Sequence, residues 1–200
     1  MYLYIIRHGE TAWNKVKRLQ GQTNIPLAEE GIRLAQITGE KLMDIPFTFA
    51  ITSPLQRAVQ TAECVLNGRN IPIITDERIQ EISFGAWEGE SMLESSVLTE
   101  EFREFFFHNP EQYVCPPEGE SFSDVLLRTK DFYEELIHHE KYRKAHILIA
   151  THGAAGRCLL SHFYGDGDIW RGGVPKNCAV SIIQVENGKS TILAKDKVYY

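Results

Sequence analysis

The sequence predicts an α/β fold: a three-layer α/β/α sandwich with a mostly parallel sheet, an antiparallel edge strand and a helical lid insertion. Short apolar segments that resemble buried strands alternate with segments of helical periodicity, which is typical of a parallel sheet covered on both faces. Near the end of the chain, residues 179–186 and 190–195 alternate in polarity across Asn187-Gly188, which is typical of an antiparallel hairpin. A chain of 200 residues can bury one sizeable core. We therefore expect one domain over residues 1–200, with the insertion at about 82–120.

Composition narrows the class of protein. Hydrophobic residues make up 43% and charged residues 24% of the chain, as in soluble globular proteins. The net charge of −6 argues against binding to nucleic acid or to an acidic membrane, yet it allows a local cationic pocket for a small anion. No apolar segment approaches the roughly 20 residues that span a bilayer, and the first one meets Arg7 too early for a signal peptide. Cys64, Cys115, Cys158 and Cys178 are far apart, which favours reduced thiols in a cytoplasmic protein over a metal or redox pair.

Two predicted strands end in the same way. Residues 2–6 form a short apolar strand that leads into Arg7-His8-Gly9, and a strand at residues 145–151 leads into His152-Gly153. In parallel sheets, ligands bind beyond the carboxyl ends of the strands. We therefore expect the two histidines to lie on one rim of the sheet.

The first strand is followed by a long loop at residues 9–28, and loops of that length in compact domains are usually functional. A segment with helical spacing comes next. Leu34 and Ile37 fall off its predicted buried face. That face comprises Ile32, Ala35, Gly39, Leu42 and Met43.

A second strand, predicted at residues 49–52, leads into a helix start. Ser53 is the expected N-cap and Pro54 the expected first helical residue. Arg57 lies in the first turn, where free N–H groups and the helix dipole already attract anions and a guanidinium adds a bidentate fork. A third strand is predicted at residues 71–75.

Residues 78–120 lack clear periodicity apart from a short helix near 98–107. Ser121 and Asp124 then form a predicted capping box that opens a long helix. A loop is predicted at Asp166-Gly167, after the helix that follows the strand at 145–151. The inner side of the long helix is predicted to comprise Phe122, Val125, Leu126, Phe132, Tyr133, Leu136 and Ile137.

His8, Arg57 and His152 all follow the end of a predicted strand, so the fold alone places them at one site. Phosphoryl transfer needs cationic donors around the phosphoryl oxygens, an in-line nucleophile and an acid for the leaving oxygen. One histidine can attack phosphorus, and a second can hold the oxygens. A metal site is the rival interpretation, but the short-spaced ligand pair that metal sites often have is missing. The adjacent His138-His139 diverge on a helix, so a solvated face explains them better.

Six segments resemble the signatures of the histidine phosphatase superfamily, also called the phosphoglycerate mutase-like family. They appear in the family's order and cover nearly the whole chain. They are RHGETAWN at 7–14, Gly21 to Leu27 with Gly31, SPLQRAVQTA at 53–62, IQEISFGAWEG at 79–89, EGES at 118–121 and THG at 151–153.

The resemblance implies a role for each matching residue. His8 matches the nucleophile that becomes phosphorylated, and Glu81 matches the proton donor to the leaving group. A neighbouring phosphate dianion favours the protonated glutamate that this role requires. The family needs no metal and no cofactor; its partner is a small phosphate ester, and we expect a monomer or homodimer. The implied phosphate and substrate pocket comprises Arg7, Asn14, Thr23, Arg57, His152 and Gly153.

The sequence favours hydrolysis of a phosphate ester over mutase activity. A mutase acting on phosphoglycerate must hold a second anionic group, yet Arg103 is the one lysine or arginine between residues 81 and 120, among ten glutamates. Family mutases carry an arginine just after the acid glutamate, where Ile82 stands here. We therefore predict a metal-independent phosphomonoesterase. The alternatives are a cofactor-dependent phosphoglycerate mutase, the α-ribazole phosphatase of cobalamin synthesis, and an idle phospho-ligand binder, which should have lost His8 or Glu81.

Two positions depart from the family's pattern. Asn24 stands where family members often have aspartate, and Ala28 stands where a serine or threonine commonly caps the next helix. The aromatic residues of the insertion either form an apolar cover over the leaving group or pack the insertion onto the core. These residues are Trp87, Phe102, Phe105, Phe106, Phe107 and Tyr113.

Overall fold

The computed structural model describes residues 1–165 and 168–200. Within these residues, one six-stranded sheet has the order β3-β2-β4-β1-β5-β6. Its strands are β1 (Tyr2–Arg7), β2 (Phe49–Thr52), β3 (Ile73–Thr75), β4 (His146–Thr151), β5 (Val180–Glu186) and β6 (Lys189–Lys197). The α-helices are α1 (Ala12–Lys15), α2 (Glu29–Lys41), α3 (Gln56–Leu66), α4 (Glu100–His108), α5 (Phe122–His138) and α6 (Ala154–Tyr164). Short 3-10 turns are Glu77–Ile79, Gly85–Trp87, Pro110–Gln112 and Glu140–Tyr142.

Strands β1 to β4 pair in parallel, and β5 is antiparallel to both of its neighbours. The predicted hairpin is present: Asn187 and Gly188 join β5 to β6 with φ of 51° and 73°, the left-handed conformation that a tight hairpin turn needs. The mostly parallel sheet with an antiparallel edge is therefore confirmed. The predicted loop at Asp166-Gly167 lies outside the described residues.

The sheet has a core on each face, which accounts for the three layers. One face packs against α5 and α6, and alternate residues of β1 and β4 point to opposite faces because the side-chain period of a strand is two. The first core includes Leu3, Ile5, Ile147, Ile149, Phe132 and Leu159. The second, against α2 and α3, includes Tyr4, Ile6, Leu148, Ala150, Leu34 and Ala62.

The predicted buried face of α2 was partly wrong. Leu34 is buried, whereas Met43 is 63% exposed because the helix ends at Lys41, before it. The buried face is set by the close approach of α2 to α3 at Gly39, where a Cβ would lie 2.6 Å from the Val65 carbonyl oxygen.

The predicted start of α3 was also wrong. The helix begins at Gln56, its N-cap is Leu55, and Ser53 makes no side-chain cap. Asn24, in the loop at residues 9–28, binds the first N–H group of the helix instead, since its Oδ1 accepts the Gln56 N–H at 2.8 Å. Helix α2 has Ala28 as its N-cap without a side-chain hydrogen bond, as expected.

Other boundaries differ by a few residues. Strand β3 begins at Ile73 rather than 71, α4 begins at Glu100 rather than 98, and the loop after β1 contains the one-turn helix α1. The capping box of Ser121 and Asp124 is confirmed. No α-helix of the described residues is long and apolar enough to cross a membrane.

The aromatic residues of the insertion mostly pack inward. Phe102, Phe106 and Tyr113 are buried, and Phe106 stacks at 5.5 Å from Phe102 and contacts Phe122 of α5 at 5.0 Å. They form a third core cluster that joins the insertion to α5 and α6. Packing onto the core, rather than a cover over the site, thus explains these three residues.

Candidate active site

His8 and His152 lie side by side beyond the carboxyl ends of β1 and β4. The parallel register of these strands pairs Arg7 with Thr151. One residue further on, the His8 N–H donates to the Thr151 carbonyl at 2.9 Å, and the two imidazole centroids are 5.2 Å apart. Both imidazoles are buried. The fold therefore brings together two residues that are far apart in the chain.

The His8 imidazole is held in one tautomer. Its Nδ1 lies 2.7 Å from the Gly9 carbonyl oxygen, which can only accept, so Nδ1 carries the hydrogen and Nε2 keeps a lone pair. Burial, reinforced by the positive charges of Arg57 and Arg7, lowers the His8 pKa well below its usual value. At neutral pH the side chain is an uncharged imidazole with a free basic nitrogen.

His152 is positioned by Ser53, which sequence reasoning had assigned to a helix cap. The Ser53 hydroxyl lies 2.7 Å from His152 Nε2 and accepts the Leu55 N–H at 3.3 Å. The hydroxyl hydrogen can then be donated to Nε2, which puts the imidazole hydrogen on Nδ1. Burial and the charge of Arg57 lower the His152 pKa well below its usual value.

Arg57, in the first turn of α3, is fully buried and held by the loop after β1. Its two terminal nitrogens donate to the carbonyls of Thr23 at 2.8 Å and Gly21 at 2.6 Å. Burial lowers the Arg57 pKa to about 10, which still leaves the guanidinium charged at neutral pH. The loop therefore fixes a positive charge next to the two histidines.

Arg7 lies on the other side of the site. Its Nη1 donates to the Pro175 carbonyl. A Cβ placed on Gly153 would be 4.0 Å from Arg7 Nε and 3.5 Å from Glu81 Oε2, so these three residues share one small volume. Burial lowers the Arg7 pKa, and the nearby Glu81 opposes that shift.

Three buried nitrogen atoms of this cluster have no hydrogen-bond partner among the described residues. They are Nε of Arg7, Nε of Arg57 and Nδ1 of His152. A buried donor without a partner costs free energy, so such donors normally serve a ligand or a mechanism. Two guanidinium N–H groups and an imidazole N–H are a donor set that suits the oxygens of a phosphate.

The Glu81 carboxylate is anchored at the N-terminus of α6. Oε2 accepts the N–H groups of Gly153 at 2.9 Å and Ala154 at 3.3 Å, and Oε1 accepts that of Ala155 at 3.0 Å. The residue sequence alone would make Glu81 a solvated carboxylate. The structure instead places it beside Arg7 and Gly153.

Asn14 and Thr23 are used structurally. Asn14 Oδ1 accepts the Thr11 N–H at 3.0 Å in the capping box of α1. The Thr23 N–H donates to Glu88 at 2.7 Å, and its hydroxyl donates to the same carboxylate. Thr23 also contributes its carbonyl to Arg57.

Sequence reasoning missed two residues that shape the site. Glu88 accepts the N–H groups of Gln22 and Thr23, which fixes the loop that holds Arg57. Asn177 donates to the His8 carbonyl at 3.0 Å. Neither has a local signal in the sequence, although Glu88 lies in a segment that matches the family. Within the described residues, no group of three or more His, Cys, Asp or Glu side chains is arranged to hold a metal ion.

Comparison with known proteins decides the family. The sequence profile of the histidine phosphatase superfamily (branch 1) matches residues 3–197. The chain belongs to the histidine phosphatase superfamily. A probable phosphoglycerate mutase, GpmB of Yersinia pestis, is 32% identical over 165 residues, which are 82% of this chain and 75% of that protein.

Solved structures of similar proteins have the same fold. YhfR of Bacillus stearothermophilus is 33% identical, with a TM-score of 0.90 and coverage of 98% of this chain and 97% of that one. The α-ribazole phosphatase of Shigella flexneri is 28% identical, with a TM-score of 0.85 and coverage of 98% and 96%. This histidine phosphatase is therefore an enzyme of a superfamily whose relatives include phosphatases and mutase-like proteins.

Replacing Ser53 by alanine is expected to lower kcat/KM about tenfold and the free energy of unfolding by about 1–3 kcal/mol, because His152 Nε2 loses its buried partner. Initial rates with a phosphate ester and urea unfolding measure the two effects. Ser96→Ala, at an exposed position of the insertion, is the control and should match wild type. A wild-type rate and stability for Ser53→Ala would show that the Ser53–His152 contact contributes to neither activity nor stability.

The free energy of unfolding is expected to fall as the pH drops from about 7 to about 5.5. The pKa values of His8 and His152 are lowered in the folded chain, so the unfolded chain binds more protons below its ordinary histidine pKa. Each such histidine contributes up to about 1.4 kcal/mol per pH unit in that window. Urea unfolding across the window should give a shallower pH slope for His8→Asn. Ser96→Ala, at an exposed site without a titratable group, should keep the wild-type slope; equal slopes for all three proteins would contradict the prediction.

Proposed function

We propose that this histidine phosphatase is a metal-independent phosphomonoesterase that hydrolyses a small phosphorylated metabolite through a phosphohistidine on His8. The observation that carries the proposal is the state of His8. It is buried, its Nδ1 is bound to the Gly9 carbonyl, its Nε2 keeps a lone pair, and the positive charges of Arg57 and Arg7 lie near enough to lower its pKa.

In the first step, His8 Nε2 attacks phosphorus while the bond between phosphorus and the leaving oxygen breaks. Arg7, Arg57 and His152 hold the phosphoryl oxygens and stabilise their charge. Glu81, in its protonated form, gives its proton to the leaving oxygen, which departs as an alcohol.

In the second step, water attacks the phosphohistidine. The resulting Glu81 carboxylate takes a proton from that water, and the bond between His8 Nε2 and phosphorus breaks to release inorganic phosphate. The nucleophile and the acid then return to their starting states, so the cycle consumes only the ester and one water.

Hydrolysis is favoured over mutase chemistry by the charges around the insertion. A mutase must hold a second anionic group of its substrate, and Arg103 is the one lysine or arginine at positions 82–120. One of its terminal nitrogens donates to the Met92 carbonyl at 2.7 Å. The Yersinia relative named as a probable phosphoglycerate mutase keeps mutase activity as the second candidate. The Shigella α-ribazole phosphatase makes that ester a substrate to include in the test.

Release of inorganic phosphate from a panel of monoesters, in the presence of a chelator, tests the proposal. The panel includes α-ribazole phosphate, and also 3-phosphoglycerate with a trace of its bisphosphate. Phosphate release by wild type that is unaffected by the chelator supports the phosphatase. Accumulation of 2-phosphoglycerate without phosphate release would make the protein a mutase. Dependence on an added metal would contradict the metal-independent mechanism.

A further inference from the structure

The guanidinium group of Arg128 binds both Glu120 and the segment that carries Glu81. It lies on α5, where Nε donates to Glu120 Oε1 at 2.8 Å and Nη2 to Glu120 Oε2 at 2.8 Å. The remaining N–H groups donate to three backbone carbonyls within four residues: those of Arg78 at 2.9 Å, Gln80 at 2.7 Å and Glu81 at 3.0 Å. All five donors of the fork are therefore paired, and three of them hold the main chain at residues 78–81.

Glu120 links Arg128 to two further groups near Glu81. Its Oε2 also accepts the Ser83 N–H at 2.9 Å and Gln22 Nε2 at 3.3 Å. Gln22 Nε2 in turn donates to the Glu81 carbonyl at 3.1 Å. The ion pair is mostly shielded, since the side chains of Arg128 and Glu120 are 18% and 22% exposed. The backbone of Glu81 is thus bound on both sides.

The carboxylate end of Glu81 is fixed separately, by the N–H groups at the start of α6. Helices α5 and α6 pack against each other, through contacts such as Thr129 Oγ1 with His162 Nε2 at 3.1 Å. The hydrogen bonds of Arg128 to the carbonyls of residues 78–81, here called the Arg128 clamp, therefore set the position of the Glu81 main chain. That position is fixed relative to α6, whose N-terminus binds the Glu81 carboxylate. Proton transfer depends on this geometry, because a displacement of about 1 Å can cost about 100-fold in rate.

We propose that Arg128, held by Glu120, is a positioning residue for proton transfer from Glu81 to the leaving oxygen; the inference rests on the proposed function. Arg128 does not touch the reacting atoms. During the first step the O–H bond of Glu81 breaks, and its proton joins the leaving oxygen as the phosphorus–oxygen bond breaks. The benefit of the clamp therefore depends on how much the leaving group needs that proton.

The test measures kcat/KM for Arg128→Met over a series of aryl and alkyl phosphates with increasingly basic leaving groups. A phenolate such as p-nitrophenolate leaves without a proton, so kcat/KM for p-nitrophenyl phosphate should change less than about threefold. For an alkyl phosphate, kcat/KM should fall about 30- to 100-fold. The plot of log kcat/KM against leaving-group basicity should become steeper, which a general loss of structure would not produce.

Arg78→Met is the matched control. Arg78 also joins this segment to α5, through ion pairs with Asp131 and Glu135, but its side chain does not bind the carbonyl groups at 78–81. The control should keep the wild-type slope. Circular dichroism and thermal unfolding verify that both variants fold. If Arg128→Met does not fold, Arg128→Lys and Glu120→Gln carry the same comparison.

A double-mutant cycle with Glu81→Gln tests whether Arg128 acts through Glu81. In the Glu81→Gln background, Arg128→Met should lower kcat/KM for the alkyl ester by less than about threefold. An equal loss for every ester, a slope matched by Arg78→Met, or a full additional loss in the Glu81→Gln background would overturn the inference. These results are distinct from failure of the proposed function, in which wild type itself hydrolyses no ester.

Discussion

Replacing His8 by alanine is expected to lower kcat/KM for phosphate esters on the order of 10⁴-fold or more, because no other described group offers an uncharged nitrogen in the same place. The fall should be similar for aryl and alkyl esters, since the variant lacks the nucleophile rather than the acid. Phosphate release measures the rate. Rapid base quench with a labelled ester detects the covalent intermediate, which is acid-labile and should appear in wild type only.

His139→Ala is the control for this experiment, because His139 is exposed at the end of α5 and its contacts are with Lys141 and Tyr142. It should retain wild-type turnover. A labelled phosphoenzyme in His8→Ala would assign the nucleophile to another residue, and His152 would then be the first to test. If His8→Ala loses activity and the intermediate but keeps normal stability, the result supports covalent catalysis by His8.

Replacing Arg57 by lysine is expected to lower kcat/KM by about 10²- to 10³-fold, although the positive charge is kept. An ammonium group cannot donate to Gly21, to Thr23 and to a phosphoryl oxygen with the planar fork of a guanidinium. The effect should appear in both kcat and KM, because in the proposed mechanism Arg57 contacts the phosphoryl group throughout the reaction. Initial-rate kinetics over a range of ester concentrations separate the two parameters.

Arg33→Lys provides the comparison for Arg57, since Arg33 is exposed and pairs with Glu30 on the surface of α2. Its kinetics should equal those of wild type. Inhibition by inorganic phosphate gives a second measurement, because Arg57→Lys should weaken it strongly and Arg33→Lys should leave it unchanged. Wild-type inhibition by phosphate in Arg57→Lys would remove Arg57 from the anion site.

Much of the fold could be predicted because its signals are local. The apolar strands, the helical stripe of α3 and the Asn187-Gly188 turn depend on residues that are neighbours in sequence. The exception on α2 is instructive. Met43 matched the stripe by spacing, but the helix stops at Lys41, and Gly39 allows α3 to approach so closely that the buried face is set by the partner helix. A pattern read along one helix does not contain that information.

In the candidate site, too, some residues could be predicted from the sequence and others could not. The sequence by itself determined that His8, Arg57 and His152 would meet, because each follows a strand that ends at one rim of a parallel sheet. Only the tertiary structure decided what holds them there. Ser53 binds His152 across 99 positions of the chain, and Glu88 fixes the loop around Arg57 across 65 positions. Such partners are selected by packing between distant segments, and hydrogen bonds of that kind leave no periodicity in the chain.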